Sequence, residues 1–511
     1  MPGTSFDEKK QDIDEVEVVP CSPQPSDEKR KALGAERARL ERILVLKLDR
    51  RLLPTIVVIF IMNYIDRTAV TAARLKGLEQ DLHLSDIQYN TILAVLYASY
   101  CPAQIPSNMI LNRVTRPSLY IGVCVVLWGL TSTLTGVTHN FVGIVACRIF
   151  IGLPEAAFYP GAIYLLSRWY TRKELAFRSA ILYGGLLISN AFGSLMAAGI
   201  LSNMEGKLGI RAYCSLFYIE GSITILFGFC AMYLLPDYPH NTRWLSPEEL
   251  HLAQVRLSED AGEADEDTHG DSALQGFLLA IKDPKVSIFA VMTCAQLLGL
   301  SFVNFFPTLT STLGFSTTIS LLLAAPPWIL ATITCAANAW HAVSDRTGER
   351  FFHITVPWWG VIVGYIIGVT TMSVAGRYVA MFLMACGYCG FALTLVWVSN
   401  AVPRPPAKRA AAIGIVNGFG NIGNLIGSFT WKAAWGPDYH QSMYISLAAL
   451  VLSSALAIVI RIILVRQNAQ LESAEHLDES ATHERILESA RLEDISVEEA
   501  YARKRGFRYL Y

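Results

Sequence analysis

The chain has 511 residues, 52% of them hydrophobic and only 17% charged, with a mean hydropathy of +0.37 and a formal net charge of −1. Soluble domains carry roughly 25% charged residues, so the composition excludes an ordinary soluble enzyme and gives no basic surplus for a nucleic-acid partner. It describes an all-α integral membrane protein with polar ends. Of the ten cysteines, most sit inside apolar runs, where they act as small hydrophobes. Cys386 and Cys389 have CxxC spacing but no second ligand pair, so no metal or other cofactor is expected.

Residues 1–51 form a charged tail, starting with Asp7, Glu8, Lys9 and Lys10, and are read as cytoplasmic. The first apolar run is too long for a cleavable signal. Runs of about 20 apolar residues are long enough to cross a bilayer. Six of them, at 52–73, 88–111, 118–138, 140–167, 179–201 and 213–235, make up an expected bundle over 52–235. A polar stretch, 236–285, follows, with an acidic cluster from Glu259 to Asp267. Six more runs, at 286–306, 319–342, 353–374, 377–401, 410–433 and 441–466, make up a second bundle over 286–466. Residues 467–511 are a charged, helix-prone tail.

Orientation follows from Lys and Arg near the helix ends. Lys47, Arg50, Arg51, Arg113, Arg116, Arg168, Arg172, Lys173, Arg178, Arg346, Arg350, Arg404, Lys408 and Arg409 fall on one side; Arg74, Lys76, Lys207, Arg211, Arg377 and Lys432 fall on the other. The richer side takes both termini and the central loop and is cytoplasmic. The halves also repeat each other. Asn112 and Asp345 open similar loops 233 residues apart, while Arg178 with Arg409 and Asn190 with Asn421 are each 231 apart. Such duplication is how many secondary transporters are built, with the binding site near the midplane between repeats. The expectation is twelve transmembrane helices in two pseudo-symmetric six-helix bundles.

Charges inside the runs point to function. Asp66 and Arg67 lie within the first run, where a charge costs roughly 2.5–3.5 kcal/mol on insertion scales. In the fourth run Arg148, Gly152 and Glu155 are spaced i, i+4, i+7 on one helical face, and Pro154 and Pro160 introduce kinks. At 1.5 Å per residue, Arg67 lies roughly 22 Å from the cytoplasmic end of the first helix, and Arg148 roughly 10 Å from the outer end of the fourth. The two arginines therefore sit at similar depth in a core of about 30 Å. One cluster of Asp66, Arg67, Arg148 and Glu155 is expected. Arg67 would hold a carboxylate through its guanidinium fork, with Arg148 as a second contact. Glu155, and Asp66 as a further candidate, would carry the proton. The alternative is a static ionic network. Glu220, in the outer part of the sixth run, reads as a structural partner ahead of a proton site.

In the eleventh run Asn417, Asn421, Asn424 and Ser428 share a face, with Gly414, Gly418, Gly420, Gly423 and Gly427 on neighbouring faces. This is a cavity wall or interhelical glue. Asn421 is the best lining candidate, with Asn190 its counterpart. Tyr64, Tyr97, Phe158, Tyr159, Phe305 and Trp397 are aromatics of the same region, and a planar substrate would favour Tyr64 and Tyr159.

The loop Asp345-Arg346-x-Gly348-x-Arg350 resembles the loop signature of the major facilitator superfamily; its first-half copy has Asn112 for Asp and Thr115 for Gly. Arg113, Arg116, Asp345, Arg346, Gly348 and Arg350 are thereby gating candidates, with plain charge anchoring the alternative for Arg113 and Arg116. The segments Asn63 to Arg67, Arg148 to Gly161, Gln104 to Asn108, Ile219-Glu220-Gly221 and Trp397 to Asn400 resemble the anion:cation symporter branch, more narrowly the fungal allantoate permease-like group. The prolines Pro403, Pro405 and Pro406 depart from that group's glycine-containing turn. The resemblance implies a major facilitator fold and proton-coupled import of a small carboxylated nutrient: a ureide such as allantoate, nicotinate, pantothenate or biotin. The proton gradient would be the energy source, the lipid bilayer and protons the partners, and a monomer in the plasma membrane the working form. Export of a secondary metabolite or drug, and a sensor without flux, are the rival readings.

Overall fold

A computed structural model describes residues 27–238, 242, 244–262, 273–344, 349–402, 406–476 and 509. Among them all regular structure is helical. The first group comprises α1 (Asp27–Arg74), α2 (Leu78–Asp81), α3 (Asp86–Arg113), α4 (Pro117–Thr135), α5 (Phe141–Glu155), α6 (Phe158–Ser167), α7 (Arg172–Asn203) and α8 (Ala212–Leu234). The connecting stretch holds α9 (Pro247–Gly262) and α10 (Ala273–Lys282). The second group comprises α11 (Pro284–Gly299), α12 (Phe306–Ser311), α13 (Thr317–Ser344), α14 (Phe351–Thr370), α15 (Val374–Cys386), α16 (Tyr388–Ala401), α17 (Pro406–Gly427) and α18 (His440–His476). Residues 27–46 and 47–511 form separate compact units, and all twelve apolar runs belong to the second.

Each of the twelve runs falls on helix, but three are broken. The fourth splits into α5 and α6 around Ala156 and Ala157, where Pro160 has no N–H to donate to the carbonyl one turn back. The seventh passes from α11 through a 3-10 turn (Ser301–Phe305) into α12, and the tenth breaks at Gly387 between α15 and α16. Eight spans are long and apolar enough to cross a membrane by length and composition alone. The runs outside that set are α1, α3, α5 with α6, and α17. These carry the buried charges Asp66, Arg67, Arg148 and Glu155, the internal prolines of α3, and the asparagines of α17. The central stretch, read from sequence as a polar loop, also contains helix. Ser246 and Glu249 start α9 with reciprocal capping bonds of 3.2 and 3.1 Å.

Helices α3 to α8 pack among themselves, α11 to α18 do the same, and the groups meet along α7 with α13 and α3 with α17. Small residues set the closest approaches. A Cβ on Gly221 of α8 would lie 2.6 Å from the Thr133 amide and 2.7 Å from the Gly129 carbonyl of α4, so only glycine allows these backbones to touch. On α17, Gly420, Gly423 and Gly427 press on Thr293, Cys294 and Ser301 in the same way. Gly420, Gly423 and Gly427 thus face the packed side, whereas Gly414 and Gly418 have nothing within 4 Å of an added Cβ.

Two polar ties frame the interior. At one end, Asp49 accepts from Arg178 Nε (2.7 Å) and Nη2 (2.8 Å) and from the Tyr170 hydroxyl (2.8 Å). At the other, Asp86 of α3 accepts the Ala433 N–H at 3.1 Å, joining the first group to the α17–α18 connection.

Candidate functional site

Arg67 lies two turns from the end of α1, with only 8% of the residue exposed. Its Nη2 donates to Glu155 Oε2 at 2.7 Å, and Glu155, at 1% exposure, is the last residue of α5 before the break. The break thus delivers a carboxylate from the end of a half-helix, an arrangement typical of ion sites in transporters. Arg148, also 1% exposed, donates through Nη2 to the backbone carbonyl of Arg67 at 2.9 Å. It braces α1 against α5 directly beneath the ion pair.

Asp66 is drawn the other way. Its Oδ1 accepts from Ser132 at 2.8 Å and its Oδ2 from Thr224 at 2.7 Å, so it is held between α4 and α8. Neighbours in a helix sequence do not face each other, and this is why Asp66 and Arg67 part company. The expected four-charge cluster is therefore three groups on one side of α1, with Asp66 on the other.

Three tyrosines surround the Arg67 guanidinium, with ring centroids at 5.0 Å (Tyr64), 5.6 Å (Tyr97) and 4.8 Å (Tyr100). Cation–π contacts of this kind contribute about 0.5–2 kcal/mol each. The same residues line a central cavity with about 700 Å3 of empty space. From α1 to α7 its wall includes Phe60, Thr68, Tyr159 and Tyr183; from α11 onward it includes Asn304, Tyr388, Phe391, Asn417, Asn421 and Asn424. Among the described residues, Arg67 is its sole charged lining residue. The polar contacts across it are long: Tyr97 to Asn304 at 3.5 Å and Asn417 to Gln104 at 3.4 Å.

Of the residues singled out from sequence, Arg67, Tyr64 and Asn421 meet at this cavity, while Arg148 and Glu155 stand just behind its wall. Asn190 does not join them: it opens on a smaller neighbouring cavity. Phe158, Phe305 and Trp397 are packing residues, against Phe60 and Trp128, against Trp431, and against Phe289 respectively. Among the gating candidates, Asp345, Arg346 and Gly348 lie outside the described residues, as does the Arg113 side chain. Arg116 is exposed just before α4, and Arg350 is half-buried just before α14. Beside it, Glu349 pairs with Arg461 at 2.7 Å.

Tyr100, Tyr183, Tyr388, Phe391 and Asn304 escaped the sequence reading. The available signal was the spacing of Tyr97 and Tyr100, i and i+3 on one helix face, opposite an apolar run, 52–73, bearing a lone arginine.

Residues 56–428 match the family model described as Major Facilitator Superfamily. The chain is 34% identical over 450 residues to the MFS-type transporter cnsO of Penicillium expansum, covering 85% of this chain and 84% of that protein. It is 31% identical over 410 residues to the MFS-type transporter efuF of Hormonema carpetanum, covering 78% and 80%. Its fold is similar to the crystal structure of a bacterial homologue of the human lysosomal transporter Spinster, in an inward-facing and unoccupied conformation. That likeness has a TM-score of 0.62 at 16% identity and covers 80% of this chain and 96% of that one.

Proposed function

Because the chain belongs to the Major Facilitator Superfamily, we propose that it is a secondary transporter importing a small organic anion together with protons, by alternating access around the central cavity. The single observation that carries this reading is the ion pair of Arg67 with Glu155 at the cavity wall. Glu155 holds the place on the guanidinium that a substrate carboxylate would take. An incoming anion reaches Arg67 from the cavity and replaces Glu155 on Nη2. Glu155 is then buried without a cation, which costs several kcal/mol unless it is neutralised. A proton neutralises it. Anion binding and proton binding are thereby linked, and the linkage is reciprocal. When the anion leaves, Glu155 gives up its proton and returns to Arg67. Arg148 keeps the Arg67 backbone in place throughout, and Asp66 anchors α1 to α4 and α8.

The wall chemistry supports a substrate class. Tyrosine and phenylalanine rings accept a planar or apolar body, the asparagine amides accept its polar edges, and the guanidinium takes its carboxylate. Nicotinate, biotin, pantothenate and allantoate all satisfy part of this pattern. The same reading places the transporter in the plasma membrane with both termini cytoplasmic, on the Lys and Arg distribution at its helix ends, and as an anion:cation symporter.

The test is uptake of labelled nicotinate, biotin, pantothenate and allantoate in cells expressing the chain, at acidic and at neutral outside pH. At least one is expected to enter faster from acidic medium, and Arg67→Ala is expected to abolish that uptake. Undiminished uptake by Arg67→Ala would remove Arg67 from the site. Uptake of none of them, together with outward movement of a preloaded organic anion, would turn the direction to export.

A further inference from the structure

The neighbouring cavity has its own chemistry. It lies between α1, α7 and α8 on one side and the 3-10 turn, α12 and α13 on the other, and shares Thr68 and Val303 with the central cavity. Among the described residues, Glu220 is its only ionisable lining residue. This carboxylate is 2% exposed, and its Oε2 is buried without a hydrogen-bond partner. Among the described residues no lysine, arginine or histidine pairs with it.

The polar groups around it are committed in one direction. Thr71 Oγ1 donates to the Thr68 carbonyl at 2.7 Å, Thr68 Oγ1 to the Tyr64 carbonyl at 2.9 Å, and Ser194 Oγ to the Asn190 carbonyl at 2.8 Å. Asn190 Nδ2 donates to the Leu186 carbonyl at 2.9 Å. With their protons spent on helix carbonyls, the hydroxyls and the Asn190 amide oxygen turn only lone pairs toward the cavity. A carboxylate among acceptors and without a cation is an unstable arrangement in a buried place. Against these acceptors the wall sets two N–H donors, the second Asn190 amide hydrogen and the Trp328 indole, and among the described residues no cationic side chain.

The surroundings carry the same sign. Asp66 grips Thr224 one helical turn along from Glu220. No Asp, Glu, Lys, Arg or His comes from residues 128–135 of α4, residues 190–197 of α7, the turn Ser301–Phe305, α12 or residues 317–330 of α13. Arg67 is turned away onto Glu155.

We propose that the Glu220 cavity is a cation site distinct from the Arg67 pair, loading one proton onto Glu220, with the protonated carboxyl donating to one of the acceptors around it. Its occupancy stands apart from the importer reading; its role in coupling rests on that reading. A cation here and an anion on Arg67 occupy adjoining cavities, so each favours the other. With Glu155 taking one proton per anion, Glu220 adds a second positive charge per cycle, and import of a monoanion carries net positive charge inward.

Two measurements on the full chain in lipid vesicles decide it. The first is infrared difference spectroscopy between acidic and alkaline buffer, where a protonated carboxylic acid gives its own carbonyl band. A band that appears at acidic pH and is missing in Glu220→Gln is expected. A band that persists unchanged in the variant, or a Glu220 band that does not respond to pH, overturns the proposal. Loss of the band on adding sodium at fixed pH would identify the sodium ion as an alternative occupant of the same acceptors; potassium is the control. Glu220→Gln supplies the donor that a protonated carboxyl would, so it is expected to fold with an unchanged gel-filtration profile. Ser194→Ala, which removes one acceptor and no charge, is expected to shift the band without abolishing it.

The second measurement is current per labelled anion transported: wild type is expected to carry one more positive charge per anion than Glu220→Gln. Equal charge in the two removes Glu220 from coupling. A titrating Glu220 band in a protein that moves no carboxylate would leave the site standing and remove the importer reading, so the two failures are distinguishable.

Discussion

Replacing Glu155 with glutamine separates the competitor from the proton carrier. The amide keeps the shape of the side chain and loses its charge, so the Arg67 hydrogen bond of 2.7 Å loses its ionic character. A hydrogen bond to a charged group contributes about 1.5–3 kcal/mol. An incoming carboxylate no longer has to displace it, and at about 1.4 kcal/mol per decade its affinity should rise roughly 10- to 150-fold. The unliganded variant should lose stability, because removing one partner of a buried pair costs about 3–5 kcal/mol. The loss should fall at the lower end of that range, since three tyrosine rings remain around the guanidinium and it opens onto the cavity. The assay is thermal unfolding of the purified protein with increasing amounts of whichever carboxylate the wild type takes up, at two pH values. Glu155→Gln should start lower, be stabilised at lower ligand concentration, and show a weaker pH dependence in ligand affinity, the remainder belonging to Glu220. It should still exchange labelled for unlabelled anion, accumulate it less, and carry one positive charge fewer per anion than the wild type. A folded variant with unchanged or weaker affinity would refute Glu155 as competitor. Uptake that carries as many positive charges per anion as the wild type would refute it as proton carrier.

Asp66→Asn leaves one of the Ser132 and Thr224 hydroxyls without its acceptor, and should lower stability by about 1–3 kcal/mol while leaving the pH profile of uptake unchanged; a shifted profile would return Asp66 to the proton pathway. Gly221→Val forces a side chain into the α4 backbone and should cost about 1–3 kcal/mol or more in thermal unfolding, whereas Gly184→Ala, with nothing within 4 Å of its added Cβ, should be silent. Tyr100→Leu removes one ring from Arg67 and should weaken anion binding by a few-fold, consistent with about 0.5–2 kcal/mol per cation–π contact; Tyr100→Phe should retain most of it. Glu249 is held below the ordinary carboxylate range chiefly by its hydrogen bond from Lys47. A depressed carboxyl stabilises at neutral pH, and that contribution fades as pH falls through its folded value. The pair is solvent-facing and screened, so Glu249→Gln should change stability by no more than about 1 kcal/mol, and less at high salt.

The spans were legible because a bilayer demands about 20 apolar residues at a time, and that demand is written locally. The site was only half legible. Arg67, Arg148 and Glu155 announced themselves as charges in apolar sequence. That Asp66 turns away from Arg67 follows from helix geometry alone, but its partners Ser132 and Thr224 lie on helices whose rotation no local pattern gives. Asn190 matched Asn421 by sequence offset, yet the two open on different cavities, because the repeats have diverged in what surrounds them. The tyrosines were hidden for a simpler reason. An aromatic ring in a membrane helix looks the same in sequence whether it faces lipid, a neighbouring helix or a cavity.

The central cavity has two unequal walls. Among the described residues, every charge that touches or backs it comes from α1 and α5, whereas α11 onward contributes amides and rings. In the proposed importer, the machinery that converts a gradient into work is thus confined to one half of the molecule, and the surface that judges a solute's outline is largely in the other. Asn304, Tyr388, Phe391, Asn417, Asn421 and Asn424 can be exchanged without disturbing a single ion pair. A lineage, or an engineer, is therefore free to retune what this scaffold carries while inheriting its energetics intact.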